Sequence, residues 1–238
     1  SEKKIQSIRG NQMSMIFQDP FTSLNPLLKI KTQLSETIHQ HLKYTPQKTI
    51  DHCYNLLHKV KIKDPIRCMN SYPHELSGGM IQRIMIAMAL CCKPQFILAD
   101  EPTTALDVTT QYEILLLIEK LKKTYDLGIL LITHDLGVVA EFCDYVYVMY
   151  AGNIIEHATT KAIFTEAKHP YTQALLNANI NLTNKQLSYI EGSVPTPEQI
   201  KRKYCTFYPR CTKRLAQCNN TAPPMRSLAD KHRYLCHL

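Results

Sequence analysis

Two short, wholly apolar segments in the middle of the chain limit most strongly what it can fold into. The segments FILA (96–99) and GILLIT (128–133) lack the polar alternation of a half-exposed strand, so both are predicted to be buried strands. A helical pattern covers 108–123 between them, and another short strand pattern, MSMIF (13–17), precedes them. Strands that alternate with helices predict βαβ units, a parallel sheet and right-handed crossovers.

The remaining patterns predict how the chain is organised around these strands. Apolar residues at helical spacing predict four further helices, near 30–42, 47–61, 79–92 and 135–142. The segment 62–76 is expected to be a loop, YVYVM (145–149) a third strand of the βαβ series, and Ala151-Gly152-Asn153 a hairpin turn. No segment approaches 18 consecutive apolar residues and the first residues are polar, so we expect neither a spanning helix nor a secretory signal.

Polar side chains follow both apolar strands. Asp100 and Glu101 come directly after the first, and His134 follows the second. Ligands of open parallel sheets lie beyond the carboxyl ends of the strands, where one carboxylate can hold Mg²⁺ and the other can take a proton from water. His134 can donate a hydrogen bond to a phosphate oxygen there. The alternative for Asp100 and Glu101 is an ordinary solvated acidic turn, and the alternative for His134 is a structural hydrogen bond at the end of a strand.

The segment Ser77-Gly78-Gly79 is predicted to begin a helix. Two glycines allow an anion to approach the backbone, and a helix N-terminus offers free N–H groups and a partial positive charge. Ser77 also suits an N-cap, so an ordinary capped helix start is the alternative.

The last 38 residues differ from the rest in charge and in cysteine content. Residues 1–200 contain 19 basic and 19 acidic residues, whereas 201–238 contain nine basic residues and one acid. Four of the nine cysteines also lie there, at Cys205, Cys211, Cys218 and Cys236. An odd cysteine total without a secretory signal indicates a reducing compartment, so metal or cluster ligation is favoured over disulfides. The basic residues around four thiolates would ease their negative charge.

Five motifs in a fixed order carry a family resemblance. Gln18, LSGGMIQR (76–83), FILADEP (96–102), TALD (104–107) and His134 together resemble an ATP-binding-cassette (ABC) nucleotide-binding domain. They match its Q-loop, signature motif, Walker B strand with glutamate, D-loop and H-loop. The resemblance implies an α/β, P-loop NTPase-like fold with an inserted α-helical subdomain and an irregular, Cys-rich C-terminal extension.

The same resemblance implies a domain division. Residues 1–20 would be the part of the catalytic core that leads to the Q-loop, and 21–92 the helical signature subdomain. Residues 93–168 would complete the core with Walker B, D-loop and H-loop, and 169–238 would form the C-terminal extension.

Each matched residue receives an implied role in binding ATP and Mg²⁺. Glu101 would be the general base, Gln18 would contact Mg²⁺ and the hydrolytic water, Asp100 would support Mg²⁺ and His134 would hold the γ-phosphate. An ATP held mainly by the opposite subunit would be bound by the signature residues Ser77, Gly78, Gly79 and Gln82. Asp107 would cross the interface between the two subunits.

Two further segments look like the oligopeptide, dipeptide and nickel importer branch of the family, FQDPFTSLNP (17–26) and HPYTQALL (169–176). The cysteine spacing C-x5-C-x6-C-x17-C of residues 201–238, the tail, also resembles that branch. In that branch the C-terminal extension is associated with an iron–sulfur cluster, which implies a 4Fe–4S cluster on the four tail cysteines. Their wide spacing suits zinc poorly but does not exclude it, and four free thiols are the other alternative.

One family motif is missing from the 238 residues. A P-loop needs G-x-x-x-x-G-K-[ST], and none of the seven glycines precedes a lysine. We therefore expect the polypeptide alone not to hydrolyse ATP at a useful rate, and the sheet to expose an apolar face and an unpaired edge. A fragment, a front half supplied by a separate polypeptide, and a decaying gene are all open explanations.

The implied function is that of an ATP-hydrolysing subunit that energises uptake of peptides or a related small solute. It would lie at the cytoplasmic face of the membrane, docked through 18–71 to permease subunits and paired with a second ABC subunit, identical or not. An extracytoplasmic solute-binding protein would act indirectly. A non-catalytic regulatory or assembly subunit that completes a partner's ATP site is the main alternative. A nucleic-acid-associated ATPase fits the tail spacing less well, so no nucleic-acid partner is expected.

Overall fold

A parallel three-stranded sheet and a group of packed helices make up the first of two units into which the chain divides, Ser1–His134 and Asp135–Leu238. The structure, a computed structural model, describes residues 2–104, 106–180, 189–200, 203–228 and 231–238. Within these residues no helix is both long enough and apolar enough to cross a membrane. The predicted division at residues 20, 92 and 168 is finer than these two units and stays a prediction.

The first unit contains seven helices and three strands among its described residues. In chain order they are α1 (Glu2–Ile8), β1 (Met13–Ile16), α2 (Pro20–Ser23), α3 (Ile30–His41), α4 (Pro46–Lys59), α5 (Pro65–Asn70), α6 (Gly78–Ala89), β2 (Phe96–Asp100), α7 (Val108–Tyr125) and β3 (Gly128–Ile132), with a 3-10 turn at Pro73–Glu75. The predicted helices and strands of this region are therefore confirmed, apart from the changes described next.

The sheet has the order β1-β2-β3, and both pairs are parallel, as predicted. Its buried face carries Ile16, Ile97 and Ala99, each at most 3% exposed. On the opposite face Met15 and Leu130 are 39% and 43% exposed. The prediction of fully buried strands is therefore wrong, because the described helices of the first unit leave that second face exposed. The expected exposed apolar face is present.

The predicted loop over 62–76 contains a helix. Asp64 accepts a hydrogen bond from the Arg67 backbone N–H at 3.0 Å, and Pro65 occupies the first turn of α5. An Asp-Pro pair is a helix-start signal, but six residues are too few for a hydrophobic period to stand out. Helix α6 also ends at Ala89 rather than 92.

Helices α3, α4 and α6 pack around a common apolar core, and the core extends to the buried face of the sheet. Its fully buried members include Leu34, Ile38, Leu57 and Ile84. The N-terminus of α4 is capped by the Thr45 hydroxyl, which accepts from the Lys48 N–H. This packing fixes α6, and with it the segment Ser77-Gly78-Gly79 at its start.

The second unit is built on an antiparallel sheet of order β4-β5-β7-β6. Its elements are α8 (Leu136–Phe142), β4 (Tyr145–Tyr150), β5 (Asn153–Thr159), α9 (Thr160–Glu166), α10 (Pro170–Ile180), β6 (Met225–Ser227) and β7 (Arg233–Leu235), with 3-10 turns at Pro197–Gln199, Tyr208–Arg210 and Ala216–Asn219. The hairpin turn is confirmed, since Ala151 and Gly152 both have left-handed φ between β4 and β5. Placing β4 in the parallel series is wrong, because this turn pairs it with β5 instead.

A buried carboxylate holds three segments of the second unit together. Glu156 on β5 has no exposed surface and accepts hydrogen bonds from the backbone N–H groups of Lys168 and His169 at 2.6 and 2.9 Å. Its Oε1 also lies 2.7 Å from Nε2 of His232. His169 in turn accepts the Tyr171 N–H at its Nδ1, which caps the start of α10. The segment 169–171 thus has a structural role.

Candidate nucleotide site

Three donors converge on the carboxylate of Glu101, directly after β2. Gln18 Nε2 donates to Oε2 at 2.9 Å, and His134 Nδ1 lies 3.0 Å from Oε1. Thr104 Oγ1 also donates to Oε2, at 2.8 Å. The Glu101 backbone has a left-handed φ of 41°, and its N–H donates to the Ile132 carbonyl of β3 at 2.9 Å. The structure therefore brings the predicted residues Gln18, Glu101 and His134 together at one edge of the sheet.

Sequence reasoning did not assign Thr104 to this group. It lies in the TALD segment, and its N–H also donates to the Glu101 carbonyl at 3.3 Å, so a tight turn returns its hydroxyl to the carboxylate. A hydroxyl residue three positions after an acid at a strand end is the signal that could have found it.

The hydrogen bonds lower the pKa of Glu101 below its ordinary value. The bond with His134 contributes most and the bond from Thr104 next. Hydrogen bonds to the charged form of a carboxyl favour ionisation. Glu101 is thus held as an anion that can accept a proton, but a water molecule must displace one of the donors to reach it. The His134 side chain is 75% exposed, so it is free to turn towards another acceptor.

Asp100 ends β2 opposite Ile132 and is partly buried. Among the described residues its carboxylate has no hydrogen-bond or ion-pair partner, unlike that of Glu101. Oxygen ligands of this kind suit Mg²⁺, which is commonly held by one or two carboxylates together with substrate phosphates. The chemistry of Asp100 therefore fits the metal that the fold implies.

The segment Ser77-Gly78-Gly79 is accessible at the start of α6. Ser77 occupies the N-cap position and is exposed, but its hydroxyl makes no capping hydrogen bond. A Cβ on Gly79 would lie 2.9 Å from Cγ2 of Thr110 on α7, so glycine is needed there for packing. The uncapped hydroxyl and the helix N–H groups remain available to an anion.

Two other predicted site residues lie elsewhere. Gln82 is 1% exposed inside the helical core, and its Nε2 has no hydrogen-bond partner in the described structure. Asp107 caps α7 by accepting the Thr110 N–H at 3.0 Å, and this bond is the main cause that lowers its pKa. Their contacts with ATP and with a second subunit stay predictions.

The four tail cysteines line one small cavity of the second unit, together with His169 and His237. All four are free thiols, and burial raises the pKa of Cys205 and Cys211. The cavity has a volume of only about 10 Å³, and in the part of the chain described no group of three or more such side chains is arranged to hold a metal ion. As formed, it leaves no room for the implied 4Fe–4S cluster. His232, four residues before the last of these cysteines, pairs with Glu156 instead.

The sequence matches two protein-family models. Residues 1–104 match the family described as ABC transporter, and residues 155–218 match the one described as the oligopeptide/dipeptide transporter C-terminal region. Among solved structures, a dimeric post-hydrolysis state of the ATP-binding cassette MJ0796 bound to ADP and Pi is similar at a TM-score of 0.59 and 27% identity, covering 67% of this chain and 68% of that one. The structure of CbiO1 from Clostridium perfringens is similar at a TM-score of 0.60 and 26% identity, covering 78% of this chain and 70% of that one.

Curated relatives extend this similarity to nearly the whole chain. The oligopeptide transport ATP-binding protein OppD of Salmonella typhimurium is 43% identical over 99% of this chain and 70% of its own length. The dipeptide transport ATP-binding protein DppD of Bacillus subtilis is 43% identical over 100% of this chain and 71% of its own. The chain therefore belongs to the ABC transporter ATP-binding proteins, in the branch that includes these oligopeptide and dipeptide transport proteins.

Proposed function

We propose that the chain is an ATP-binding and ATP-hydrolysing subunit that energises uptake of peptides through an ABC importer. The observation that carries the proposal is the hydrogen-bonded group of Gln18, Glu101 and His134 at the carboxyl edge of the parallel sheet. The relatives' names, which specify oligopeptide and dipeptide transport, support peptides as the cargo.

Each side chain of the group has a task in hydrolysis. Glu101 accepts the proton of the attacking water, because its carboxylate is kept ionised by its donors. Gln18 orients that water, and His134 turns from Glu101 to donate to the γ-phosphate. Mg²⁺ neutralises charge on the phosphates when it is bound, and the Asp100 carboxylate is the group that would hold it.

The subunit works as one half of a pair. Ser77, Gly78 and Gly79 lie at an exposed helix N-terminus, where N–H groups and the partial positive charge suit the γ-phosphate of an ATP held by the opposite subunit. The pair docks to integral-membrane permease subunits at the cytoplasmic face of the membrane. An extracytoplasmic solute-binding protein delivers the cargo.

The 238-residue polypeptide is inactive by itself. It contains no G-x-x-x-x-G-K-[ST] segment, so the phosphates of ATP lack the loop and lysine that grip them in P-loop enzymes. Magnesium-dependent release of phosphate by the purified chain should stay at the level of a protein-free blank. Turnover at an ordinary rate of about 1 per second or more would disprove this part of the proposal.

Transport can be tested in proteoliposomes. They would contain the permease subunits of a peptide importer, a complete ATP-binding subunit and this chain, and ATP-driven uptake of a radiolabelled tripeptide would be measured. Leaving out the chain should reduce uptake. Uptake that is unchanged without it would overturn the proposed role in transport.

A non-catalytic subunit that completes a partner's ATP site is the second candidate. It is favoured by one observation, the accessible and uncapped Ser77 in a chain without a P-loop. It differs from the first candidate in requiring the signature residues but not Glu101, and the closing experiment of the Discussion separates the two.

Ligation of an iron–sulfur cluster by the four tail cysteines remains the finer part of the proposal. The convergence of four sulfurs on one cavity supports it, and the small size of that cavity requires them to move apart on binding. Iron analysis and the visible absorption spectrum of anaerobically purified protein provide the test. Protein that contains neither iron nor zinc would establish four free thiols.

A further inference from the structure

A cavity of the first unit lies away from the Glu101 group, since none of Gln18, Glu101 and His134 lines it. It has a volume of about 650 Å³, within the range typical of small-molecule sites. Its walls come from the chain after α4, from α5, from the start of α6 and from α7. Apolar side chains form much of the lining, namely Ile62, Cys68, Leu76, Met80 and Leu116.

The acidic side chains of the lining have hydrogen-bond partners within the protein, but three of its basic side chains have none in the part of the chain that the structure describes. Each acid accepts a hydrogen bond within the protein: Asp64 from the Arg67 N–H, Glu75 from the Tyr72 N–H and Glu113 from the Arg83 guanidinium. The charged ends of Lys61, Lys63 and Arg67 are different. All three residues are exposed, and among the described residues their charged ends have no hydrogen-bond or ion-pair partner.

One of these cations stands at a strained position. Lys61 has a left-handed φ of 61° directly after α4, where its N–H and that of Ile62 close the helix on the carbonyls of His58 and Leu57. Glycine is the usual residue at this position, because it adopts that φ without steric cost. A cation near a helix C-terminus interacts favourably with the helix dipole, which accounts for one lysine but not for three cations at one cavity.

From this combination we propose that the cavity binds a small amphipathic anion. A carboxylate or phosphate head group meets Lys61, Lys63 and Arg67, and an apolar body lies against Leu76, Met80 and Leu116. Charge-assisted hydrogen bonds to a head group are stronger than neutral ones, and the apolar lining adds the burial of a hydrocarbon body. The site is independent of the proposed function, since its ligand is neither ATP nor cargo.

Binding can be followed on the full chain labelled with ¹³C at the methionine methyl groups, because Met80 lines the cavity. The probe is octanoate, with octanamide as the uncharged match and inorganic phosphate as an anion without an apolar body. The Met80 methyl signal should shift saturably with octanoate, with an affinity about tenfold higher than for octanamide. Met13 and Met15, on the exposed sheet face, report binding to other apolar surface. Comparison with octyl phosphate decides which head group is preferred.

Two variants test the role of the cations. Lys61→Gly should weaken octanoate binding while leaving the melting temperature unchanged or raised, because glycine relieves the left-handed backbone. The triple change Lys61→Gln, Lys63→Gln and Arg67→Gln should weaken it about tenfold or more. The matched control replaces Lys3, Lys4 and Lys31 by glutamine, which removes the same amount of charge. None of the three lines the cavity, so this variant should bind octanoate with unchanged affinity. Equal shifts with octanamide, no shift of Met80, or wild-type affinity in the triple variant would overturn the proposal.

Discussion

At the scale of single residues, the hydrogen-bond donors around Glu101 keep its carboxylate ionised by lowering its pKa. Removing the Thr104 hydroxyl with Thr104→Val should raise the pKa of Glu101 towards its ordinary value, and His134→Ala should raise it further, since the His134 bond is the larger cause. The side-chain carboxyl signal of Glu101 in a ¹³C NMR titration measures this pKa in each variant. Thr165→Val, which removes a hydroxyl bonded to the Lys161 carbonyl, is the control. A Glu101 titration that is the same in all variants would contradict the assigned contacts.

His169 gives a second residue-scale prediction. Burial lowers its pKa to about 4, although Glu156 acts in the opposite direction. The unfolded chain binds this proton near pH 6.5, so the contribution to stability is full above that pH and falls as the pH drops towards 4, by about 3 kcal/mol in total. His169→Asn retains an acceptor for the Tyr171 N–H but does not titrate. Urea unfolding between pH 7 and 4 should show a shallower loss of stability in this variant, and an unchanged slope would refute the role of His169.

The sequence could predict the meeting of Gln18, Glu101 and His134, since the carboxyl ends of neighbouring parallel strands share one edge. It could not predict Thr104, whose position depends on the turn after Glu101. Nor could it predict the burial of Glu156, which follows from contacts with residues far along the chain.

At the scale of elements, the contact between α6 and α7 leaves no room for a larger side chain in place of Gly79. Gly79→Ala would bring its Cβ to 2.9 Å from Cγ2 of Thr110. Overpacking typically costs 1–3 kcal/mol and alanine regains part of that through helix propensity, so we expect a net loss of about 1 kcal/mol. Adding Thr110→Ser removes the clashing methyl and should restore the urea midpoint. A stable single variant, or a double variant that is not rescued, would show that the glycine is not required by packing.

The elements also show why periodicity predicts helices better than sheet partners. The long helices α3, α4 and α7 follow from apolar residues at helical spacing, whereas α5 is too short for that signal. The apolar residues of β4 predict its location correctly. Its antiparallel pairing depends on the turn at Ala151-Gly152 and on partners that its own pattern does not specify.

At the scale of the whole molecule, the sheet of the first unit retains an apolar face with Met13, Met15, Leu130 and Ile132 each 39–44% exposed. The absence of a P-loop motif from the 238 residues predicts this exposed face. Exposed apolar patches of monomeric proteins commonly mark interaction sites or cause aggregation. The chain without partners should therefore self-associate as its concentration is raised, which analytical ultracentrifugation measures. A monodisperse monomer would count against this expectation.

The central claim is that Ser77-Gly78-Gly79 acts on ATP held by another subunit. The most direct measurement is magnesium-dependent ATP turnover of a complete ATP-binding subunit of a peptide importer, with and without this chain. The chain should increase turnover, and Ser77→Asp should abolish the increase. Aspartate is a good N-cap, so it keeps α6 stable while its charge repels the phosphate.

The matched variants make the outcome of this measurement decisive. Ser77→Thr should keep the increase, because it retains a hydroxyl. Glu101→Gln should also keep it if the chain only completes a partner's site, and should reduce it if the Glu101 group itself hydrolyses ATP. An increase in turnover that survives Ser77→Asp, or a mixture no faster than the complete subunit alone, would contradict the account.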